Sequence, residues 1–414
     1  MAGIYIHIPF CKSKCGYCGF YSLPSLKLKD KFLEALKREI IERKEYLSAG
    51  LIAGEDPQIA IRRCEASQSP ALKDNPHTPS IHTIYFGGGT PSLLSVNEIG
   101  DILHLINDTY SVANNAEITL EANPDTLSPE YLEGLRNLGV NRLSIGIQSF
   151  FDDDLKYLSR RHDANHARQC IAWAKQAGFR NISIDLIYGL PTSNAEQWNQ
   201  NLDLFFEMDL PHLSAYALTL EPNSILAKQI ELGKAMPIND EDALRDYDIL
   251  CRRAKENGFL HYEISNFCRR GMHSKHNASY WFGTPYAGFG PSAHSYDGYS
   301  RQWNEASVEA YSLWPMAYGS ETQAIGHQPS AIGHEALSPE QLYDEYVMLR
   351  LRTHWGIDLK YMKREMGERF STYCEQHAQP LVAQGRLSQT REFLYLNNEQ
   401  MLFADGIAEE LFWE

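Results

Sequence analysis

The sequence predicts an α/β fold: an incomplete (βα)6 barrel of TIM type, followed by a small, mostly helical, winged-helix-like C-terminal domain. Three observations predict it. Short apolar, β-branched runs alternate six times with amphipathic helical stretches across residues 1–257. Helical returns between strands impose a parallel sheet, and right-handed crossovers curl it towards a barrel. Polar residues punctuate the C-terminal ends of those runs, where ligands collect in such folds. Beyond residue 338 the alternation gives way to three helical stretches and a hairpin pattern.

Taken in order, residues 3–9 read as a short buried strand ended by Pro9. Apolar positions at Phe32, Leu33, Leu36, Ile40 and Ile41 mark an amphipathic helix over 29–46. The pattern dissolves over 48–80, which reads as a low-order insertion with a stub of helix at 59–63. Strands are then expected at 81–86, 117–121, 142–147, 181–188 and 212–218, each followed by a helix, the last of them at 240–257.

Residues 258–316 read as an elaboration of the barrel, with one strand at Tyr262-Glu-Ile-Ser-Asn-Phe267 and a loop-rich stretch to about 305. A second low-order insertion is expected over 317–335, its repeated Ile-Gly-His at His327 and His334 being loop. The C-terminal domain spans 336–414. Ser338-Pro339-Glu340 is a helix start. A small hairpin is expected from Gly385-Arg-Leu, Phe393-Leu-Tyr-Leu and Met401-Leu-Phe.

Composition narrows the class. The 414 residues are 43% hydrophobic, which supplies an ordinary core. No run approaches the roughly 18 apolar residues of a membrane helix, and no secretory cleavage pattern opens the chain. A cytoplasmic protein without an integral membrane segment is expected. A net charge of −15 lacks the cationic footprint of a nucleic-acid binder. Of eight cysteines, Cys64, Cys170, Cys251, Cys268 and Cys374 are scattered, as apolar fillers or inert thiols are.

The other three form Cys11-x3-Cys15-x2-Cys18, on the loop leaving the first strand. Three thiolates there can hold a metal cluster. A four-iron cubane needs four ligands, so three cysteines leave one iron open. A zinc site is the rival, wanting a fourth Cys or His; His7 is close but its direction is set by the strand. The turn Gly87-Gly88-Gly89-Thr90-Pro91 ends the second strand, where glycine lets backbone approach a ligand or serves only the turn. Glu121 ends the third strand. Asp185 lies within an apolar strand, where a lone carboxylate is costly; Arg160 is its candidate partner, or a clamp for a carboxylate.

With Tyr17 before the third cysteine, this pattern resembles the radical S-adenosylmethionine superfamily, and the likeness runs from the first strand through the sixth. The resemblance implies a [4Fe–4S] cluster on Cys11, Cys15 and Cys18, with S-adenosyl-L-methionine chelating the open iron. It also implies that an electron from the cluster can cleave the sulfonium to a 5′-deoxyadenosyl radical. Tyr5-Ile-His-Ile-Pro-Phe-Cys11, the Gly87 turn, Glu121-Ala-Asn-Pro, Gly146-Ile-Gln-Ser-Phe150 and Ile184-Asp-Leu-Ile-Tyr-Gly-Leu-Pro191 together resemble the oxygen-independent coproporphyrinogen III oxidase group. That likeness makes Tyr5, Gly88, Gly89, Thr90, Glu121, Gln148, Arg160 and Asp185 the expected S-adenosylmethionine contacts. Two departures put decarboxylation in doubt. The oxidases carry a further cysteine two positions after the third, where this chain has Phe20. They also begin with an extension over the site, whereas this chain starts at the first strand.

A third feature, Tyr262-Glu-Ile-Ser-Asn-Phe267 followed by His276-Asn-Ala-Ser-Tyr280-Trp281, resembles the haem-chaperone branch of that group, whose mark is His-Asn-x-x-Tyr-Trp. Imidazole is a good axial ligand for haem iron, and Tyr280, Trp281 and Phe282 offer flat apolar faces. On chemistry alone His276 reads rather as a satisfied loop histidine, with core aromatics around it. His294 is a second candidate ligand. The resemblance implies haem as a further cofactor, a haem-accepting protein and an electron donor as partners, and a place in porphyrin biosynthesis. The alternative it leaves is the oxidase activity itself.

Overall fold

The computed structural model describes residues 1–49, 79–222, 224–317, 332–398 and 400–414. The expected helix stub at 59–63, most of the 48–80 insertion, Cys64 and His327 lie outside them. No helix among the described residues is long and apolar enough to cross a membrane.

The six strands of the βα alternation form as expected: β1 (Ala2–Ile8), β2 (Ile81–Gly88), β3 (Val112–Ala122), β4 (Arg142–Gln148), β5 (Asn181–Tyr188) and β6 (His212–Ala217). Six further strands follow: β7 (Leu260–Glu263), β8 (Asn266–Cys268), β9 (Tyr286–Phe289), β10 (His294–Tyr296), β11 (Ser300–Asn304) and β12 (Ile332–Ala336). By contact the chain divides into two units. One comprises Met1–Asp185, Leu218–Ile238 and Thr284–Glu335; the other comprises Leu186–Ala217, Asn239–Gly283 and Ala336–Glu414.

In the first unit the strand order is β12-β11-β10-β9-β1-β2-β3-β4, with β5 next to β4. Strands β1, β2, β3 and β4 pair in parallel, so their C-terminal ends share one edge. Ile4, Ile6, Ile8, Ile84, Phe86, Leu120, Leu143, Ile145 and Ile147 are fully buried. Such continuous apolar runs belong to strands covered on both faces. The covering helices are amphipathic. Lys29–Glu42 buries Phe32, Leu33, Leu36 and Ile40. Val96–Thr109 buries Ile99, Ile102, Leu103 and Ile106 and starts at a Ser95/Glu98 capping box.

Three expectations are corrected. The loop-rich stretch carries β9, which pairs in parallel with β1 on the side away from β2, followed by the antiparallel β10 and β11. Its glycines and three-to-five-residue strands hide any period-2 signal. Residues 332–335 of the second expected insertion belong to strand β12, and His334 lies on it. The single strand expected at 262–267 is the tight hairpin β7–β8, in the second unit, with Glu263 opposite Asn266.

A buried carboxylate ties β9 and its followers to the first helix. Glu39, 2% exposed, accepts from Arg43 Nη1 (3.0 Å), Asn304 Nδ2 (2.8 Å), Gly290 N (2.9 Å) and the Tyr311 hydroxyl (2.6 Å). Four donors offset the desolvation of that charge, which is tolerable inside only when so surrounded.

In the second unit β6 pairs antiparallel with β8, and β8 with β7. Its C-terminal part has helices Pro339–Leu351, Leu359–Glu365 and Glu368–Ala383, and a small antiparallel sheet of β13 (Ile357–Asp358), β14 (Ser388–Gln389) and β15 (Phe393–Tyr395) in the order β13-β15-β14. Met401–Phe403 is a 3-10 turn, not a strand. Tyr343, Val347, Leu351, Phe370, Cys374, Leu394 and Leu411 share one apolar core. Cys170, Cys268 and Cys374 are fully buried and Cys251 partly so, in keeping with fillers.

Candidate functional site

The cysteine loop and the glycine turn leave the C-terminal ends of adjacent parallel strands, with Ile8 opposite Gly88. Two backbone bonds pin the base of the loop: Cys11 N to Leu23 O (2.9 Å) and Leu23 N to Pro9 O (2.7 Å). Its middle is held by Leu226 N donating to Gly16 O (2.8 Å), and its end by Cys18 N donating to Cys15 O (3.3 Å). All three cysteines are free and half-buried. The Thr90 hydroxyl donates to Cys11 Sγ (3.5 Å) and Arg160 Nη1 to Cys15 Sγ (3.4 Å). Burial, with Cys15 and Cys11 nearby, raises the Cys18 pKa. Neighbouring thiols of this kind give up their protons when a cation binds between them.

Among the described residues no three His, Cys, Asp or Glu side chains are gathered as a single metal ion needs. A cluster whose ligands sit on different irons asks for a wider set, which three thiols on one pinned loop can provide. His7 is not a ligand: it is 5% exposed, its Nδ1 lies 3.2 Å from the Tyr5 hydroxyl and its Nε2 3.0 Å from Tyr21 O.

The three glycines are needed for space. A Cβ on Gly87 would stand 2.9 Å from the Tyr5 ring. On Gly88, whose φ is +106°, it would stand 2.8 Å from the His7 ring. On Gly89 it would meet Phe10 O at 2.7 Å, Ile8 O at 3.0 Å and Cys11 Sγ at 3.1 Å. Backbone carbonyls cannot retreat as a side chain can, so Gly89 sets the approach of the turn to the cysteine loop.

Glu121 lies at the end of β3. Its Oε1 accepts from the Tyr85 hydroxyl (2.7 Å) and its Oε2 from Gly88 N (3.2 Å). Burial pushes its pKa up to about 7, and Asp185 adds to the rise, while the two donors oppose it. Tyr5 stacks on Tyr85 with ring centroids 6.1 Å apart. Asp185 is only half-buried on β5, so the cost expected of it is smaller. Arg160 is not its partner: the guanidinium donates to Asn123 Oδ1 (2.6 Å), Gly146 O (2.8 Å) and Cys15. Burial lowers the Arg160 pKa, but Tyr17 and Cys15 outweigh it and the net shift is upward. Gln148, 8% exposed, holds φ +70°, a conformation strained for a side chain bearing a Cβ and often found at functional sites.

A cleft opens beside Cys15, lined among others by Lys12, Thr90, Asn123, Ser159 and Arg160. The structure thus brings together Tyr5, Gly88, Gly89, Thr90, Glu121 and Arg160 around the cysteine loop. Tyr85 and Asn123 belong with them and were missed. Asn123 lies two positions after Glu121, one residue past the end of β3, and Tyr85 lies opposite Tyr5 in the β1–β2 register, which are the signals that could have found them.

The second unit holds the histidine motif on helix Lys275–Trp281, whose N-cap Ser274 accepts from Asn277 N. His276 is 1% exposed. Its Nε2 lies 2.8 Å from the Tyr280 hydroxyl, the rings edge-on at 5.0 Å. Tyr280 and Trp281 are half-buried and Phe282 is exposed. The fully buried Tyr262 sits behind the helix start, accepting from Ser274 N (3.3 Å), with His212 Nε2 2.8 Å from its hydroxyl. His294 is in the first unit, exposed on β10 and stacked on Trp303.

Free thiols on a pinned loop after the first strand, a glycine turn against them and a carboxylate at the third strand end define a radical S-adenosylmethionine protein. In agreement, residues 71–205 match the Radical SAM superfamily and residues 337–403 the HemN C-terminal domain. "Heme chaperone HemW" of Mycobacterium tuberculosis is 31% identical over 413 residues, 99% of this chain and 94% of the relative. "Heme chaperone HemW" of Bacillus subtilis is 31% identical over 98% of each. The solved structure of coproporphyrinogen III oxidase (HemN) from Escherichia coli shares the fold, with a TM-score of 0.76 over 99% of this chain and 90% of that one, at 22% identity. The chain belongs to the HemW family.

Proposed function

We propose that this chain is a haem chaperone. It holds a [4Fe–4S] cluster on Cys11, Cys15 and Cys18, and binds S-adenosylmethionine against Tyr5, Gly88, Gly89, Thr90, Glu121, Gln148, Arg160 and Asp185. Haem is its cargo, taken up at the helix bearing His276, Tyr280 and Trp281 and handed to an acceptor protein in the cytoplasm. The observation that carries this reading is the His276-Asn-x-x-Tyr280-Trp281 helix in a HemW-family chain. Phe20 supports it: it is 70% exposed, and a phenyl there cannot do what a cysteine does.

The donor set suits the ligand. Glu121 offers carboxylate lone pairs to ribose hydroxyls, the glycine turn offers backbone to the methionyl end, and Arg160 offers a cation for its carboxylate. Bound together, the cluster and S-adenosylmethionine supply one-electron chemistry at the sulfonium, fed by an external electron donor.

The second reading is an oxygen-independent coproporphyrinogen III oxidase, favoured by the oxidase fold and the intact glycine and cysteine elements. Anaerobic reconstitution with iron and sulfide, then reductant, S-adenosylmethionine and coproporphyrinogen III, separates the two. The chaperone reading expects stoichiometric haem binding and no protoporphyrinogen IX. Multiple turnovers to protoporphyrinogen IX would sink it.

A further inference from the structure

His276 Nε2 already faces a hydroxyl, and its ring is sealed at 1% exposure. An axial ligand must offer iron a nitrogen that nothing else holds. The second unit contains another imidazole that meets this need better. His354 lies in the turn between helix Pro339–Leu351 and β13. Its Nε2 is itself buried and has no hydrogen-bond partner, while the side chain as a whole is half-buried. Its ring rests on Trp355, centroids 4.4 Å apart.

Trp355 is the centre of an aromatic surface. Phe282, the residue directly after the histidine-motif helix, is 48% exposed and lies 4.8 Å from the indole. His273, just before that helix, meets the same indole edge-on at 6.0 Å. The Arg350 guanidinium stands 4.6 Å over the Phe282 ring. Arg350 is buried and bonded to Gly356 O (2.7 Å), so it fixes the Phe282 ring from behind. Flat apolar rings with imidazoles beside them suit a large planar apolar ligand that carries a metal at its centre.

We propose that Trp355 and Phe282 form the platform on which the porphyrin lies, and that His354 supplies an axial imidazole to the haem iron. The proposal rests on the haem-chaperone reading and deepens it, by adding a ligand from the C-terminal part of the chain. Turning the His354 ring off Trp355 presents Nε2 to the iron and breaks no hydrogen bond at that nitrogen. By contrast, bringing out His276 Nε2 breaks the contact with the Tyr280 hydroxyl. The orphaned nitrogen of His261 is a poorer choice: that ring is 3% exposed and stacked on Phe267 at 4.2 Å. Burial, with His273 and Arg350 nearby, lowers the His354 pKa, which keeps the imidazole in its ligating neutral form.

The test is haem titration of the full chain, read by the Soret band and by electron paramagnetic resonance of the ferric complex. His354→Ala is expected to weaken haem binding by about tenfold or more and to change the axial-ligand signature, with added imidazole restoring it. His354→Met, which keeps bulk in the turn, is expected to retain haem with a thioether signature in place of imidazole. Trp355→Ala is expected to weaken binding without changing the ligand signature. Unchanged affinity and spectra in both His354 variants, with wild type binding haem, would overturn the proposal and leave the chaperone reading intact. Failure of wild type itself to bind haem would sink the chaperone reading, and this proposal with it.

Discussion

Glu121 and Glu263 are two carboxyl groups that burial has pushed to the same pKa, about 7. Their surroundings differ. Glu121, half-buried at a strand end, receives a phenol and a backbone N–H. Glu263 is 3% exposed in the β7–β8 hairpin; Asn266 and the Ser265 backbone donate to the carboxyl, but its Oε1 has no partner, nor has Asn266 Oδ1 across the hairpin. The first arrangement is poised for a ligand that brings hydroxyl donors. The second is kept neutral by enclosure. A raised pKa therefore does not by itself mark a site; each carboxyl has one side-chain and one backbone donor, and what separates them is whether a ligand can reach the oxygens.

The largest expected effect tests the sealed group. Glu263 holds its proton in the folded state above its ordinary value of 4.5, so folding takes up a proton between pH 4.5 and about 7. Stability is then fully present below that window and falls as pH rises through it, by about 3 kcal/mol. Glu263→Gln is expected to flatten this slope in urea melts from pH 5 to 8. Glu121 adds a like slope of its own. S-adenosylmethionine is expected to remove the Glu121 share and leave that of Glu263, so an unchanged slope with ligand would break the contrast.

Next in size is Gly89→Ala. Its Cβ would press on two carbonyl oxygens and a thiol, at a cost of about 2 kcal/mol, and would displace Cys11. Iron and sulfide analysis after anaerobic reconstitution is expected to show the cluster lost or substoichiometric. Glu121→Gln keeps the shape and replaces one acceptor oxygen with a donor. It is expected to weaken S-adenosylmethionine by about tenfold in calorimetry, with iron content unchanged. The smallest effect is expected from Tyr280→Phe. It removes the hydroxyl facing His276 Nε2, and is expected to cost about 1 kcal/mol in urea melts and to tighten haem by a few-fold at most. A large loss of haem affinity would instead show Tyr280 to be a contact.

What could be read from the sequence followed the same divide. Around β1 to β5 the alternation of buried runs and amphipathic helices fixes where strands end, so the Gly87 turn and Glu121 stand out by position and Cys11 by its spacing from Cys15 and Cys18, while the roles expected of them rest on the family resemblance. Tyr85 was missed because it looks like any aromatic in a buried strand until Glu121 is placed beside it. The pairing of Arg160 with Asn123, Gly146 and Cys15 rather than Asp185 was not readable, since a long side chain's target depends on tertiary geometry. In the second unit the motif at His276 was legible as a pattern. Its closure by Tyr280 was not, nor was the isolation of His354, because helix pitch and loop packing decide them. Strands β9 to β11 escaped for want of length.

The pairing of β9 with β1 also has a consequence for assembly. The strand that launches the cysteine loop, with Gly3 to Ile6 bonded to Tyr286 to Phe289, has one flank open until most of the chain has been made. Glu39 likewise waits for Gly290, Asn304 and Tyr311 to bring their donors. Contacts spanning so much sequence form late and slowly. The cysteine loop is therefore encoded far upstream of the strand that secures it, and on the proposed reading cluster loading waits for residues beyond 284. A truncation ending before residue 284 is expected to emerge from reconstitution without stable iron.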